Sequence, residues 1–187
     1  GIDSFRVDIN LSSRQFSDKK VVDKIKDMLQ KYQLNSCDIG LELTESVLID
    51  GDNHAINSIY QLRKMGFTIA IDDFGTGYSS LTYLHKLPIN TLKIDRAFLQ
   101  DNRFADDSHT IVNTIVAMAK GLELNVVAEG VETQKQLDYL NEMECDEAQG
   151  FLFGKPLEAD IIAQLLIHEP YSTTDTGKPK PDNLRRH

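Results

Sequence analysis

The strongest constraint on this chain is a sixfold alternation of two patterns. Short runs rich in Val, Ile and Leu recur along it: FRVDIN (5–10), IGLELTE (39–45), FTIAIDD (67–73), TLKID (91–95), NVVAEG (125–130) and AQGFLF (148–153). Between them the apolar residues fall at helical spacing. Apolar runs of this length bounded by turn signals read as strands, and apolar residues three and four apart read as one face of a helix. Val21, Val22, Ile25, Met28 and Leu29 line the first helix, and Ile56, Ile59, Leu62 and Met65 the second. A shorter third runs from Ser79 to Leu87. Ile111, Ile115, Met118 and Ala119 mark the fourth, Leu137 and Leu140 the fifth, and Ile161, Ile162, Leu165 and Leu166 the last. Asp18 and Thr133 stand where helices begin, and Gly121 where the fourth one stops. Repetition of βα predicts a parallel sheet with helical crossovers. Near-continuous apolar strands suit a sheet covered on both faces.

Composition decides between the functions such a sheet can host. With 187 residues the chain is one domain, 1–170, followed by a stretch from 171 to 187 that loses apolar residues and gathers Pro, Gly and charge. That stretch reads as a flexible C-terminal tail. Lys and Arg number 20 against 29 Asp and Glu, a net charge of −9. Sequence-independent binding to a DNA or RNA polymer needs a basic surface, so that class is excluded. Cys37 and Cys145 give neither a disulfide framework nor a thiolate metal site, and the five histidines lack metal-ligand spacing. No apolar run reaches the ~18 residues of a membrane span, and no signal-peptide pattern opens the chain, which starts at Gly1. The expectation is an acidic domain of cytoplasmic type.

Chemistry in a parallel α/β fold collects at the carboxyl ends of the strands. Here those ends carry one restricted kind of residue: Asn10, Glu42 and Glu45, Asp72 and Asp73, Lys93 and Asp95, Glu129 and Glu132, and Gln149. A single acidic residue at such a place is usually a helix cap or a solvated loop residue; six consecutive ends behaving alike point to one mouth if the sheet curves. Two unit charges ~4 Å apart repel by about 4 kcal/mol at an effective dielectric near 20. A crowd of carboxylates therefore holds protons or cations. With oxygen donors and no Cys or His among them, the suited cations are Mg²⁺, Mn²⁺ or Ca²⁺. Adjacent Asp72 and Asp73 suit a pair of metals, and two metals ~3.5–4 Å apart clamp a phosphoester for in-line attack. Lys93 either orients or stabilises the nucleophile or the phosphoryl charge, or is a structural ion pair. The glycines of FGTGYSSL (74–81) allow close backbone approach. Phe74, Tyr78 and Tyr83 read as packing residues, whereas Phe151 or Phe153 offers a ring for stacking on a ligand.

The segment DDFGTGYSSL (72–81) resembles, almost letter for letter, the signature loop of the EAL-domain cyclic di-GMP phosphodiesterases. VDINLSSRQF (7–16), LELTES (41–46), LPINTLKIDRAFL (87–99), VVAEGVET (126–133) and QGFLFGKP (149–156) follow in the family's order, so the resemblance covers about residues 3–167. It implies a TIM-like (β/α)₈ barrel that hydrolyses the bacterial second messenger cyclic di-GMP to linear pGpG, using two Mg²⁺ or Mn²⁺ ions and inhibited by Ca²⁺. By the same resemblance Asn10, Glu42, Asp72, Asp73 and Glu129 are metal ligands, with Asp72 bridging. Lys93 contacts the catalytic water, and Glu45 braces the 74–81 loop, through which the family links its site to a homodimer interface. Gln149, Glu132 and Asp95 bind substrate or support the site. The Glu-Ala-Leu that names the family is absent. A whole barrel of this kind has ~250 residues and eight units, so the six units here read as its C-terminal part, with the missing strand upstream of Gly1 and sensory or GGDEF-type modules, or a membrane anchor, beyond that. A piece without that glutamate is expected to be impaired. The alternatives are a non-catalytic cyclic di-GMP receptor and an unrelated barrel enzyme with a carboxylate-rich mouth.

Overall fold

A computed structural model of the protein describes residues 6–49, 53–75, 84–100, 107–168 and 185–186. Its strands are β1 (Val7–Leu11), β2 (Ile39–Thr44), β3 (Thr68–Phe74), β4 (Thr91–Ile94), β5 (Asn125–Ala128), β6 (Glu147–Ala148) and β7 (Arg185–Arg186). All neighbours run parallel, in the order of the sequence. The helices are α1 (Ser13–Phe16), α2 (Val21–Tyr32), α3 (Ser46–Ile49), α4 (Asn53–Lys64), α5 (Ala97–Gln100), α6 (Asp107–Gly121), α7 (Gln134–Glu142) and α8 (Ala159–His168). A doubly wound sheet reverses its strand order at a switch point, whereas a barrel is wound in one direction. The unbroken order is that of a barrel, and the six βα units form an open portion of one.

Side chains alternate across a strand, so the registers sort the sheet into two faces. Leu41 and Leu43, Ile69 and Ile71, Leu92 and Ile94, and Val126 and Ala128 occupy one face and are buried against the helices. The other carries Asn10, Glu42, Thr44, Ala70, Asp72, Thr91 and Lys93. The expectation that both faces would be apolar is thus corrected. IGLELTE alternates, and its second face is the polar interior that holds the candidate site.

Other expectations shift for local reasons. On α6 the buried stripe is Val112, Ile115, Val116 and Ala119, leaving Ile111 exposed, so the helix face is turned by one position. Met28 lies off the α2 stripe, where Val21 and Val22 are buried. Ile161, Ile162 and Leu165 of α8 are exposed, and none of the described strands packs extensively against that helix. Asp18 does not cap α2, whose N-cap is Lys20; its carboxylate accepts from the Lys20 N–H at 2.9 Å, one turn earlier. Thr133 does cap α7, in a capping box with Gln136. The sixth strand is only Glu147–Ala148, because Gly150 presses against the backbone of Val131 and the chain turns there. The expected third helix lies mostly outside the described residues, although Leu84 and Leu87 are buried. So does the expected tail, apart from Arg185–Arg186, which pair with β6. No described helix is long and apolar enough to cross a membrane.

Candidate active site

The site begins with a β-bulge in β3. Ile71 pairs with Leu92 and Phe74 with Ile94, so three steps on β3 match two on β4. The extra residue is accommodated at Asp73, whose φ of 55° lies in the left-handed region. That conformation costs a non-glycine residue about 1–2 kcal/mol, and Asp is among the residues that tolerate it best. The consequence is chemical. Consecutive residues of a regular strand point to opposite faces, yet here carboxylate oxygens of Asp72, Asp73 and Glu129 all lie within 4.8 Å of one another. The Asp73 N–H donates to Asp72 Oδ1 at 3.0 Å, which fixes the rotamer of Asp72.

Lys93 stands opposite. Its ammonium is 4% exposed at the residue level and lies 2.6 Å from Glu129 Oε1, 2.7 Å from Glu42 Oε1 and 3.6 Å from Asp72 Oδ1. Burial alone would favour the neutral amine; the hydrogen bonds to Glu129 and Glu42 outweigh it and raise the lysine above its ordinary value, so it stays charged. Burial raises the Glu129 carboxyl, against the opposing pull of Lys93 and with the help of Asp72 and Glu42. Asp73 is raised in the same direction by burial, then by Asp72, by a hydrogen bond with Asp95, and by the charges of Asp95 and Glu129. One ammonium among four carboxylates leaves an excess of negative charge that a multivalent cation would neutralise.

The remaining expected residues are at the rim of this cluster. Asn10 is level with Glu42 on the neighbouring strand. Glu45 is 4% exposed; its Oε2 accepts from the Gly75 N–H at 3.1 Å, its own N–H donates to the Asp72 carbonyl, and its Oε1 has no hydrogen-bond partner among the described residues. Gly75 has φ of 96° and a Cβ there would meet the Phe98 ring at 2.9 Å, so the loop begins pinned between Glu45 and Phe98. Asp95 accepts from the Ala97 N–H at 2.7 Å at the start of α5. Gln149 lines one cavity with Glu42 and Lys93, and both it and Glu132 flank the carboxylate cluster. With Arg96, Glu129, Gly130 and Phe151 they line a pocket of about 210 Å³ beside that cluster. Phe151 is exposed there, while Phe153 packs on the core and Phe74 is buried. Tyr78 and Tyr83 lie outside the described residues.

Arg96 was not among the expected residues, though a cation directly after a strand-end Asp was a readable signal. Asp8 and Glu147 were also missed. They line a deeper cavity on the polar face with Glu42, Thr91 and Lys93. Their acidic character was visible, but their place near the beginning of the strands was not.

The donors suit a hard divalent cation. All are carboxylate or amide oxygens, and those of Asp72, Asp73 and Glu129 lie within 4.8 Å of one another, close enough for a bound cation to draw them together. Lys93 meanwhile holds Glu42 and Glu129, so these two do not confront each other as bare charges.

A family model described as the EAL domain matches residues 2–156. The signaling protein YkoW of Bacillus subtilis (strain 168) is 44% identical over 164 residues, 88% of this chain and 20% of that protein. The cyclic di-GMP phosphodiesterase PdeR of Escherichia coli (strain K12) is 42% identical over 156 residues, 83% of this chain and 24% of its own length. The chain thus spans about a fifth to a quarter of the curated relatives it matches. Among solved structures, the PaMucR phosphodiesterase in complex with c-di-GMP superposes with a TM-score of 0.80 at 41% identity, covering 84% of this chain and 64% of that one. Klebsiella pneumoniae BlrP1 in complex with manganese and cy-diGMP does so with a TM-score of 0.74 at 30% identity, covering 82% of this chain and 40% of the other. The match over most of the chain, the ordered motifs and the singly wound parallel sheet establish that this chain belongs to the EAL domain family.

Proposed function

We propose that this domain is a phosphodiesterase that hydrolyses one phosphodiester of cyclic di-GMP to linear pGpG with the help of two Mg²⁺ or Mn²⁺ ions, Ca²⁺ being inhibitory. The observation that carries the reading is the convergence of Asp72, Asp73 and Glu129 around the buried ammonium of Lys93. A receptor that only holds the ligand has no use for such repulsion. Relatives named as cyclic di-GMP phosphodiesterases and a neighbour bound to manganese and the dinucleotide support it further. When bound, the metal pair supplies an electrophilic clamp for in-line attack of water on the phosphoester.

The chain's own residues do the rest. Asn10, Glu42, Asp72, Asp73 and Glu129 would hold the cations, Asp72 being the carboxylate both would use. Lys93 has three protons; two serve Glu129 and Glu42, and the third is available to orient the attacking water or to stabilise charge on the phosphoryl oxygens. Glu45 braces the start of the 74–81 loop, the segment through which a homodimer contact would reach the site. Gln149, Glu132 and Asp95 bind the substrate or support the ligands, and the ring of Phe151 offers a stacking surface for a base.

The test is chromatography of cyclic di-GMP incubated with the protein and Mn²⁺. A linear pGpG product, lost on adding EDTA, is expected. Tight binding of the nucleotide by the folded, metal-loaded protein without turnover would favour the receptor instead.

A further inference from the structure

The loops that follow β4, β5 and β6 are interlocked, and one side chain ties two of them together. Gln136, on the first turn of α7, is 8% exposed. Its Oε1 accepts from the Glu132 N–H at 2.8 Å, the Thr133 N–H at 2.9 Å and the Thr133 hydroxyl at 3.1 Å. Its Nε2 donates to the carbonyl of Leu99 at 2.9 Å, a buried bond between residues 37 apart in sequence. The carboxamide thus faces the loop 129–133 with its acceptor and the segment 95–100 with its donor. Two glycines complete the arrangement. A Cβ on Gly130 would meet Arg96 Cβ at 2.4 Å, and one on Gly150 would meet the Val131 carbonyl oxygen at 2.2 Å, so the three loops pack closely on one another.

A capping box needs only the acceptor half of such a side chain, reaching back to the N-cap. The donor half is unnecessary for the helix and reaches across to another loop. We propose that Gln136 is a positioning residue for the phosphodiester site, setting the loop that carries Glu129 and Glu132 against the loop that carries Asp95 and Arg96. The assignment rests on the phosphodiesterase reading. Gln136 touches no reacting group and acts through the placing of Glu129. Groups behind metal ligands typically change metal affinity or activity by about 10–100-fold when altered.

Two variants separate the halves. Gln136→Glu keeps the acceptor and the cap but puts a carboxylate oxygen against the Leu99 carbonyl; Gln136→Met removes both. In Gln136→Glu the account expects kcat about tenfold lower, KM for cyclic di-GMP within about twofold, and Mn²⁺ affinity without nucleotide several-fold weaker by calorimetry. Hydrogen exchange on the metal-free protein should speed up at the amides of 95–100 in both variants, and at 132–133 only in Gln136→Met. Wild-type kcat and Mn²⁺ affinity in a folded Gln136→Glu would overturn the proposal, leaving the residue a helix cap. If the wild-type protein neither bound Mn²⁺ nor turned over the nucleotide, the phosphodiesterase reading would fail, and the exchange at 95–100 would still decide whether the two loops are coupled.

Discussion

Lys93 Nζ lies 2.6 Å from Glu129 Oε1, and both groups sit on the polar face of the sheet with the lysine almost wholly buried. This pair, extended to Glu42 and Asp72, keeps the acidic mouth folded when no cation is present. Removing one partner of a buried ion pair leaves the other uncompensated and typically costs about 3–5 kcal/mol.

Lys93→Met should therefore destabilise the metal-free protein by about 3 kcal/mol near neutral pH. The loss should be smaller in Mn²⁺, because a divalent ion replaces the missing positive charge. Turnover should drop by about 10²–10³-fold, the scale for deleting one electrostatic stabiliser. Urea unfolding in EDTA and in Mn²⁺ reads the first effect and steady-state assays the second. Equal stability of the two proteins in EDTA would show that the lysine does not balance the carboxylates.

The raised carboxyls set a pH dependence of definite sign. Glu129 and Asp73 are held above their ordinary values of 4.5 and 3.8. Between those values and the raised ones the folded protein binds more protons than the unfolded chain, so these groups make stability fall as pH rises through that window. Other carboxyls work in the opposite direction, as where Lys24 lowers Asp18 and Lys120 lowers Glu144. The contribution of the cluster is isolated by Glu129→Gln, which should flatten the decline from pH 4.5 upward in EDTA. Mn²⁺ affinity should rise with pH over the same window, since ligands must shed protons to bind. Melting curves across pH with and without Mn²⁺ test both, and a steeper decline in the variant would contradict the assignment.

Loop packing makes a sharper mutational contrast. Gly150→Ala would bring a methyl group to 2.2 Å from the Val131 carbonyl oxygen, and backbone cannot yield cheaply, so a loss of about 1–3 kcal/mol is expected. Gly154→Ala, with nothing within 4 Å of the added carbon, should leave the melting temperature nearly unchanged. Similar melting temperatures for the two variants would argue against the close approach of the β5 and β6 loops.

Much of this was legible in the residues. The apolar runs IGLELTE and FTIAIDD placed their strands to within a residue or two. The approach of Glu42, Asp72 and Glu129 to Lys93 followed from strand ends sharing one rim, with Asn10 level with Glu42 on the next strand. What stayed hidden depended on register. No local pattern announces the bulge that turns Asp73 toward Asp72, because one inserted residue is defined only against the partner strand. Ile111 misled for a similar reason: two adjacent stripes on α6 are apolar, and only the packed sheet selects Val112 over it. Gln136 carried no local signal, since its partner at Leu99 is 37 residues away.

Under the proposed function Asp72 would be the carboxylate that two divalent cations share during hydrolysis of cyclic di-GMP. The direct measurement compares wild type with Asp72→Asn in Mn²⁺, following pGpG formation by chromatography and the fold by circular dichroism. Wild type is predicted to convert the nucleotide, slowly in a piece that lacks the Glu-Ala-Leu glutamate, and a folded Asp72→Asn to give nothing above background. Undiminished turnover by that variant would contradict this role of Asp72.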